Sequence, residues 1–216
     1  MGTATAEPTK RDYRSEREKQ VDADVRRWCE NHVVEVRLEQ GVYRHYFCHT
    51  PTTSNMAFAV ITTPGRLMIA GDCGDMVFER VYDMFAWAPS SIRDIDYFAG
   101  KAWSCCKTKE YDAKSGRDAL KRWYEMKVEG ATPEERRKHD RISRQLMRHV
   151  DDGEHELTLA FHESDWCHGD YPDFKTWSHE YLRVRACGMW FFRWLKANRP
   201  NIPLVAAPWP APDYMI

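Results

Sequence analysis

Hydrophobic and polar residues alternate through the first half of the chain with the two-residue period of β-strands. Val34, Val36 and Leu38 alternate with charged residues, and Gln40-Gly41 supplies a turn to the next strand. The predicted strands cover residues 34–38, 42–49, 56–62, 67–70 and 76–78. Because short turns connect them, we expect the strands to pair antiparallel.

The strand over residues 56–62 has small or apolar residues on both faces, which is typical of a central strand covered on both sides. The turn that follows contains Pro64-Gly65. Proline fixes φ at the first central position, and glycine accepts the positive φ that a type II turn requires at the second.

The second half changes to the helical period. Helices are predicted over residues 18–30, 92–104, 117–127, 132–150 and 174–198, with residues 154–162 ambiguous between helix and strand. Ser91 is the predicted cap of the second helix, and Ser115 or Gly116 opens the third. Thr132-Pro133 with Glu135 forms a capping box. The fold class is therefore α+β, with an antiparallel sheet of four to five strands from the N-terminal half packed against helices mainly from the C-terminal half.

Three regions follow from this pattern. Residues 1–17 are polar and form a disordered or weakly helical arm. Residues 18–200 form a single domain, because the helical half has too many tryptophans of buried character to stand apart. Residues 201–216 are rich in proline and aromatic residues and form an extended tail.

The chain of 216 residues has a net charge of −1 and nine tryptophans, which is not the composition of a general nucleic-acid binder. Its charge is uneven, since residues 107–150 contain thirteen lysines and arginines against eight acidic residues. A basic helix over residues 134–150 is either a nucleic-acid-binding surface or an ordinary solvated face. Its cations are Arg136, Arg137, Lys138, Arg141, Arg144 and Arg148.

The seven cysteines are scattered and include no Cys-x-x-Cys pair. The chain opens with a polar segment that lacks the apolar core of a signal peptide. No apolar run approaches eighteen residues, so we expect no membrane span and no membrane partner. We therefore expect reduced thiols, no cofactor and a location in the cytoplasm.

An acidic, glycine-rich turn follows the fourth strand. Asp72, Asp75 and Asp83, with His45 from a neighbouring strand, could hold a divalent cation, because Mg²⁺ and Ca²⁺ prefer oxygen ligands. Such a site would suit a metal-dependent hydrolase of nucleotides or nucleic acid. The structural alternative is that these aspartates bond the backbone of the turn or cap a helix.

Two further groups are candidates for chemistry or recognition. Alternation places Tyr43, His45, Phe47 and His49 on one strand face, which suits partner recognition or base stacking. Cys48 or Cys73 could also pair with His45 as a nucleophile and base. A zinc site could form from His162, Cys167 and His168, although an ordinary surface loop explains that segment as well.

The chain contains no Walker A loop, Gly-x-Gly-x-x-Gly, His-Glu-x-x-His or Gly-x-Ser-x-Gly motif. An enzymatic activity therefore stays open, and the pattern favours a protein that acts by binding.

Residues 34–104 contain motifs that resemble a group of small, uncharacterised proteins of bacteriophages and prophages. The matching segments are Tyr43-Arg44-His45, residues 61–67, Gly71-Asp72, residues 75–78 and residues 83–85. The resemblance assigns no reaction. It implies an accessory protein in the host cytoplasm that binds and inhibits a host protein or ribonucleoprotein complex, for example in an anti-CRISPR-like, anti-defence role.

Overall fold

The computed structural model describes residues 14–167 and 171–206. It confirms the predicted α+β class, with the five-stranded antiparallel sheet in the N-terminal half and the helices mostly in the C-terminal half. Residues 1–13 of the predicted arm and 207–216 of the predicted tail lie outside the described residues.

The elements follow one another in this order: α1 (Glu16–Trp28), β1 (Val33–Gln40), β2 (Tyr43–Thr50), β3 (Thr53–Thr63), β4 (Arg66–Gly71), β5 (Met76–Glu79), a 3₁₀ turn (Met84–Ala86), α2 (Ala88–Ser91), α3 (Ile95–Ala99), β6 (Lys109–Tyr111), α4 (Ala113–Val128), α5 (Pro133–Arg148), α6 (Glu154–His162), β7 (Lys175–Trp177) and α7 (His179–Asn198). The described residues belong to two compact units. The first contains those up to Cys106 and from His179 onward, and the second is Lys107–Ser178. The single domain expected from the sequence stays a prediction.

The sheet of the first unit is a meander in the order β1-β2-β3-β4-β5. Thr63 pairs with Arg66 across a two-residue turn, and Gly65 adopts a φ of 76°, as the sequence predicts. Strand alternation then gives the sheet two different faces. The inner face carries two fully buried rows across β2 to β5. The first is Tyr46, Val60, Ile69 and Met76, and the second is Arg44, Thr62, Leu67 and Phe78.

Helix α7 packs against this inner face. Phe191 lies 5.1 Å from the ring of Tyr46, and Trp190 lies 6.0 Å from that of Phe58. At Gly188 a Cβ atom would come within 2.8 Å of the Ile69 side chain, so glycine permits this close approach. Helix α1 packs on α7 in turn. The inner face is thereby sealed by aromatic side chains, and burial of this kind dominates the stability of a core.

A buried ion pair joins β2 to the 3₁₀ turn. The Arg44 guanidinium donates two hydrogen bonds to the Asp83 carboxylate, at 2.7 and 2.9 Å, and both side chains are almost fully buried. Asp83 also accepts from the backbone N–H groups of Phe85 and Val205, while Arg44 donates to the carbonyl of Pro203. The pair therefore holds three separate segments of chain together.

The predicted helix over residues 92–104 is wrong. The chain instead forms the short helices α2 and α3, followed by an extended segment that pairs with β5. Arg185 donates to the carbonyl oxygens of Ile92 and Arg93, which a continuous helix would use internally. Asp94, rather than Ser91, caps the next helix by accepting from the N–H of Tyr97.

The second unit combines α4, α5 and α6 with the two-stranded sheet of β6 and β7. The capping box of Thr132 and Glu135 is confirmed at the start of α5. Helix α4 begins earlier than the sequence predicted, because Asp112 caps it. The ambiguous segment is the helix α6. The buried core of this unit includes Leu120, Leu146, Val150, Leu157, Phe161, Trp166 and Phe174.

The predicted helix over residues 174–198 is correct only from residue 179 onward. Residues Lys175–Trp177 pair with Lys109–Tyr111 as strands, and the Ser178 N–H donates to the carbonyl of Thr108. A pairing partner some 70 residues away in sequence thus overrides the local helical period. None of the helices in the described residues is both long and apolar enough to cross a bilayer.

The burial of the Arg44–Asp83 ion pair leads to a prediction about the stability of the protein. Asp83→Asn or Arg44→Met should each lower the free energy of unfolding by about 3–5 kcal/mol, because each leaves a buried polar group uncompensated. The double variant should lose clearly less than the sum of the two losses. Urea denaturation measures the free energy of unfolding of the two single variants and of the double variant. Arg66→Met, which breaks the exposed Arg66–Glu79 pair, is the control and should cost less than about 1 kcal/mol. Additive losses would contradict the coupling.

A second prediction concerns pH. Burial by itself would raise the pKa of Asp83, but hydrogen bonds from Arg44, Val205 and Phe85 outweigh it and lower that pKa. The stabilisation is therefore complete above about pH 4, the ordinary range of an aspartate, and is lost as the pH falls toward the depressed value. The stability difference between wild type and Asp83→Asn should narrow below pH 4 in acid titrations. A constant difference down to pH 2 would contradict this assignment.

Candidate functional site

The face of the sheet opposite α7, here called the open face, is built by the side chains that alternate with the buried ones. Strand register aligns them in rows across the sheet. One row contains Leu38, His45, Ile61, Met68 and Val77, and the next contains Glu35, Phe47, Ala59 and Ala70. The predicted recognition residues Tyr43, His45, Phe47 and His49 all belong to this face. The sequence prediction about their common orientation therefore matches the register.

Solvent reaches the open face, most of all near β1. Tyr43 is 50% exposed, Leu38 is 45% exposed and Val33 is 44% exposed. Toward the middle of the sheet, Ala59 and Ile61 are only partly buried. At the β4–β5 side the Trp103 ring lies 5.0 Å from the Arg66 guanidinium carbon, so this part of the face is more covered than the β1 side. The sequence predicts that β3 is covered on both sides. On this face Ala57 is buried, while Ala59 and Ile61 keep part of their apolar surface accessible.

The charges on the open face are compensated locally. Arg37 bonds Glu35 at 3.2 Å, and its guanidinium lies 3.9 Å from the centre of the Phe47 ring. At the opposite edge of the sheet, Arg66 bonds Glu79 at 2.7 Å. The face therefore combines apolar and aromatic area with little net charge.

The free edge of β1 is less suited to pairing than its length suggests. The pairing of β1 with β2 shifts register between Val36 and Leu38, which leaves Arg37 as an extra residue. A bulge of this kind, with Glu35 and Glu39 nearby, is a common protection against edge-to-edge association. At the other end of the sheet, the backbone N–H of Trp103 donates to the carbonyl of Val77, and this segment covers the edge of β5.

The structure does not bring together the four candidate metal ligands, Asp72, Asp75, Asp83 and His45. Asp83 lies on the inner side of the sheet in its pair with Arg44, whereas His45 lies on the open face. The Asp75 carboxylate accepts from the N–H of Gly71, and the exposed Asp72 uses its N–H to bond the carbonyl of Ala57. Within residues 14–167 and 171–206, no group of three or more His, Cys, Asp and Glu side chains is arranged to hold a metal ion. The hydrolase alternative gains no support from this geometry.

The structure separates one group of candidate cysteines and histidines and brings another pair together. Cys48 and Cys73 are fully buried on the inner side, so neither faces His45. Burial raises the pKa of the Cys48 thiol, which keeps it protonated and unreactive. In the second unit, His162 Nδ1 lies 3.3 Å from the sulfur of Cys167. His168, the third predicted zinc ligand, lies outside the described residues.

All six cations predicted for the basic helix are exposed on α5, whose buried side is formed by Ile142 and Leu146. Lys138 bonds Asp165 at 2.8 Å, and Arg144 donates to the carbonyl of Asp140. The helix thus has an apolar side in the core of its unit and a cationic side in solvent, as its sequence predicts.

Sequence reasoning missed part of the open face. Leu38, Met68 and Val77 join His45 in one row only because five strands are in register, and the register is not visible in any single strand. Alternation within each strand was the available signal. It gives the two faces of a strand but does not indicate which one a helix covers.

Comparisons with protein-family models, with curated proteins and with solved structures find no match for this chain.

Proposed function

We propose that this protein acts by binding and inhibiting a host protein, and that the open face of the sheet is the binding surface. The observation that supports this most directly is the accessible apolar and aromatic area around Leu38, Tyr43 and Phe47. Tyrosine and arginine are the residue types that most often dominate binding energy at protein interfaces, and Tyr43 and Arg37 lie here together. The resemblance to phage and prophage proteins supports a host partner and an anti-defence role.

The charge of the open face favours a protein partner over a nucleic acid. Binding to a phosphate backbone requires a surplus of cations, because it gains its free energy from counterion release. On this face Arg37 and Arg66 are each paired with a glutamate. The Phe47 ring is also covered on one side by the Arg37 guanidinium, which leaves it less available for base stacking.

The rigidity of the face supports the same role. Tyr46, which separates His45 from Phe47 in β2, is fully buried between the rings of Phe85 and Phe191. The inner-face contacts of Tyr46 thereby hold β2 in place, so little side-chain and backbone freedom is lost when a partner binds to the open face.

The test is quantitative capture from a bacterial host lysate with wild type and with a Leu38→Glu/Tyr43→Glu variant. Both substituted residues are about half exposed, so the fold should tolerate them. We expect a captured protein whose affinity, measured afterwards with the purified pair, falls at least tenfold in the variant. Met126→Glu, at a 56% exposed apolar position on α4, is the matched control and should bind like wild type.

Equal binding by wild type and variant would refute the open face as the surface. Light scattering on the purified chain provides a separate check. A stable dimer that the Leu38→Glu/Tyr43→Glu variant abolishes would assign the face to a second copy of the chain and would also contradict the proposal.

A second candidate function is nucleic-acid binding by α5, favoured by the exposure of its six cations. Arg137→Gln/Arg141→Gln should then weaken binding of a 20-nucleotide duplex and reduce the slope of log affinity against log salt by about 2. Fluorescence anisotropy at several salt concentrations measures this. Lys121→Gln/Arg122→Gln, two exposed cations on α4, is the control. A salt slope that both variants reduce equally would argue against a role for α5.

A further inference from the structure

A half-open groove of about 850 Å³ lies beside the C-terminal part of α7 in the first unit. Its floor is apolar and includes the buried residues Phe85, Ile92, Phe192 and Leu195, and the exposed Leu204 also lines it. The volume is in the range of small-molecule sites, which are concave, mostly apolar and equipped with a few polar groups for orientation.

The rim of this groove is strongly cationic. Among the described residues it contains six basic ones, Arg14, Arg26, Arg93, Arg193, Lys196 and Arg199, and a single acidic one, Asp22. Arg14 bonds Asp22 at 2.5 Å, and Arg199 bonds Glu39 at 2.6 Å. Within the described parts of the chain, no ion pair joins Arg26, Arg93, Arg193 or Lys196 to a carboxylate.

These cations are close enough to repel one another. Burial lowers the pKa of Arg193, and the nearby charges of Arg26, Arg93 and Arg14 lower it further. Asp22 opposes this shift without cancelling it. Like charges gathered around a cleft raise the free energy of the empty site, and a bound anion would relieve that repulsion.

We propose that this groove binds a small amphipathic anion, with a carboxylate or phosphate head at the cationic rim and a hydrocarbon body on the apolar floor. The positive charge of the rim favours an anionic head, and the apolar floor favours a hydrocarbon body. Among the lining residues that the structure describes, Ser90 is the one uncharged polar side chain, so these residues offer few hydrogen bonds to the edge of a nucleotide base. The proposal uses none of the residues assigned to the open face, and it holds or fails independently of the proposed function.

The test measures binding of decanoate and decyl phosphate to the full chain by calorimetry, below their micelle concentrations. Both anions should bind saturably with one molecule per chain, and comparison of the two distinguishes a carboxylate from a phosphate head. Decanol has the same body without the charge, and inorganic phosphate has the charge without the body. Each should bind at least tenfold more weakly than the anions. Dodecanoate should bind more tightly than decanoate, by about fourfold per added methylene group.

Adjacent arginines on α1 provide a matched control. Arg26 lines the groove, whereas Arg27 is paired with Asp24 and is not part of the lining. Arg26→Gln and Arg193→Gln should each weaken anion binding about fivefold to tenfold, and Arg27→Gln should change it less than twofold. The three variants remove the same charge, and thermal unfolding checks that each keeps the fold.

Four results would overturn the proposal. The first is no saturable binding of either anion by the full chain. The second is an equal loss in Arg26→Gln and Arg27→Gln, which would indicate nonspecific attraction to a basic surface. The third is decanol binding as tightly as decanoate, and the fourth is phosphate alone binding as tightly as decyl phosphate.

Discussion

The pairing of Arg44 with Asp83 is the interaction on which the first unit depends. Two charges in the interior cost several kcal/mol in lost solvation, and only excellent geometry offsets that cost. Here the guanidinium meets the carboxylate with two parallel hydrogen bonds, and two backbone N–H groups complete the set of donors around Asp83. The Phe85 ring lies 4.6 Å from the guanidinium carbon and adds a cation–π contact. Among the described residues the buried Nε of Arg44 has no hydrogen-bond partner, and the other bonds of the pair hold three chain segments in one arrangement.

Both proposed surfaces follow from that arrangement. Arg44 lies between Tyr43 and His45 in β2, so fixing its side chain on the inner face fixes theirs on the open face. On the inner side, the same pair holds Phe85 and the segment from Pro203 to Val205, which supply part of the groove lining. The ion pair therefore has a structural role that accounts for the burial of Asp83 without any catalytic function.

Local signals in the sequence were sufficient for the elements whose causes are local. Strand alternation, the Pro64-Gly65 turn and the capping box of Thr132 and Glu135 each depend on residues within a few positions of one another. The errors arose where a distant residue decides the outcome. Arg185 takes the carbonyl oxygens that would have continued the helix after Ile92, and it is more than 90 residues away in sequence.

The interpretation of Asp83 as a candidate metal ligand failed for a related reason. An aspartate that binds a metal, caps a short helix or pairs with a buried arginine has the same local sequence, and Arg44 lies 39 residues away. The groove has no local signature either, because its cations come from α1 and just before it, from the segment after α2, and from α7 and just after it. Only the regular spacing of Arg193, Lys196 and Arg199 marks one side of it in the sequence.

The way in which charge is compensated distinguishes the two surfaces physically. On the open face each arginine has a glutamate partner, so the free energy of binding there must come mainly from burying apolar and aromatic area. In the groove four cations lack a carboxylate partner among the described residues, although the whole chain has a net charge of only −1. A nearly neutral chain that concentrates uncompensated positive charge around an apolar cavity pays for it in stability through self-repulsion. An anionic ligand that removes this repulsion gives a physical reason for the concentration of charge, whereas a purely structural role for the rim does not.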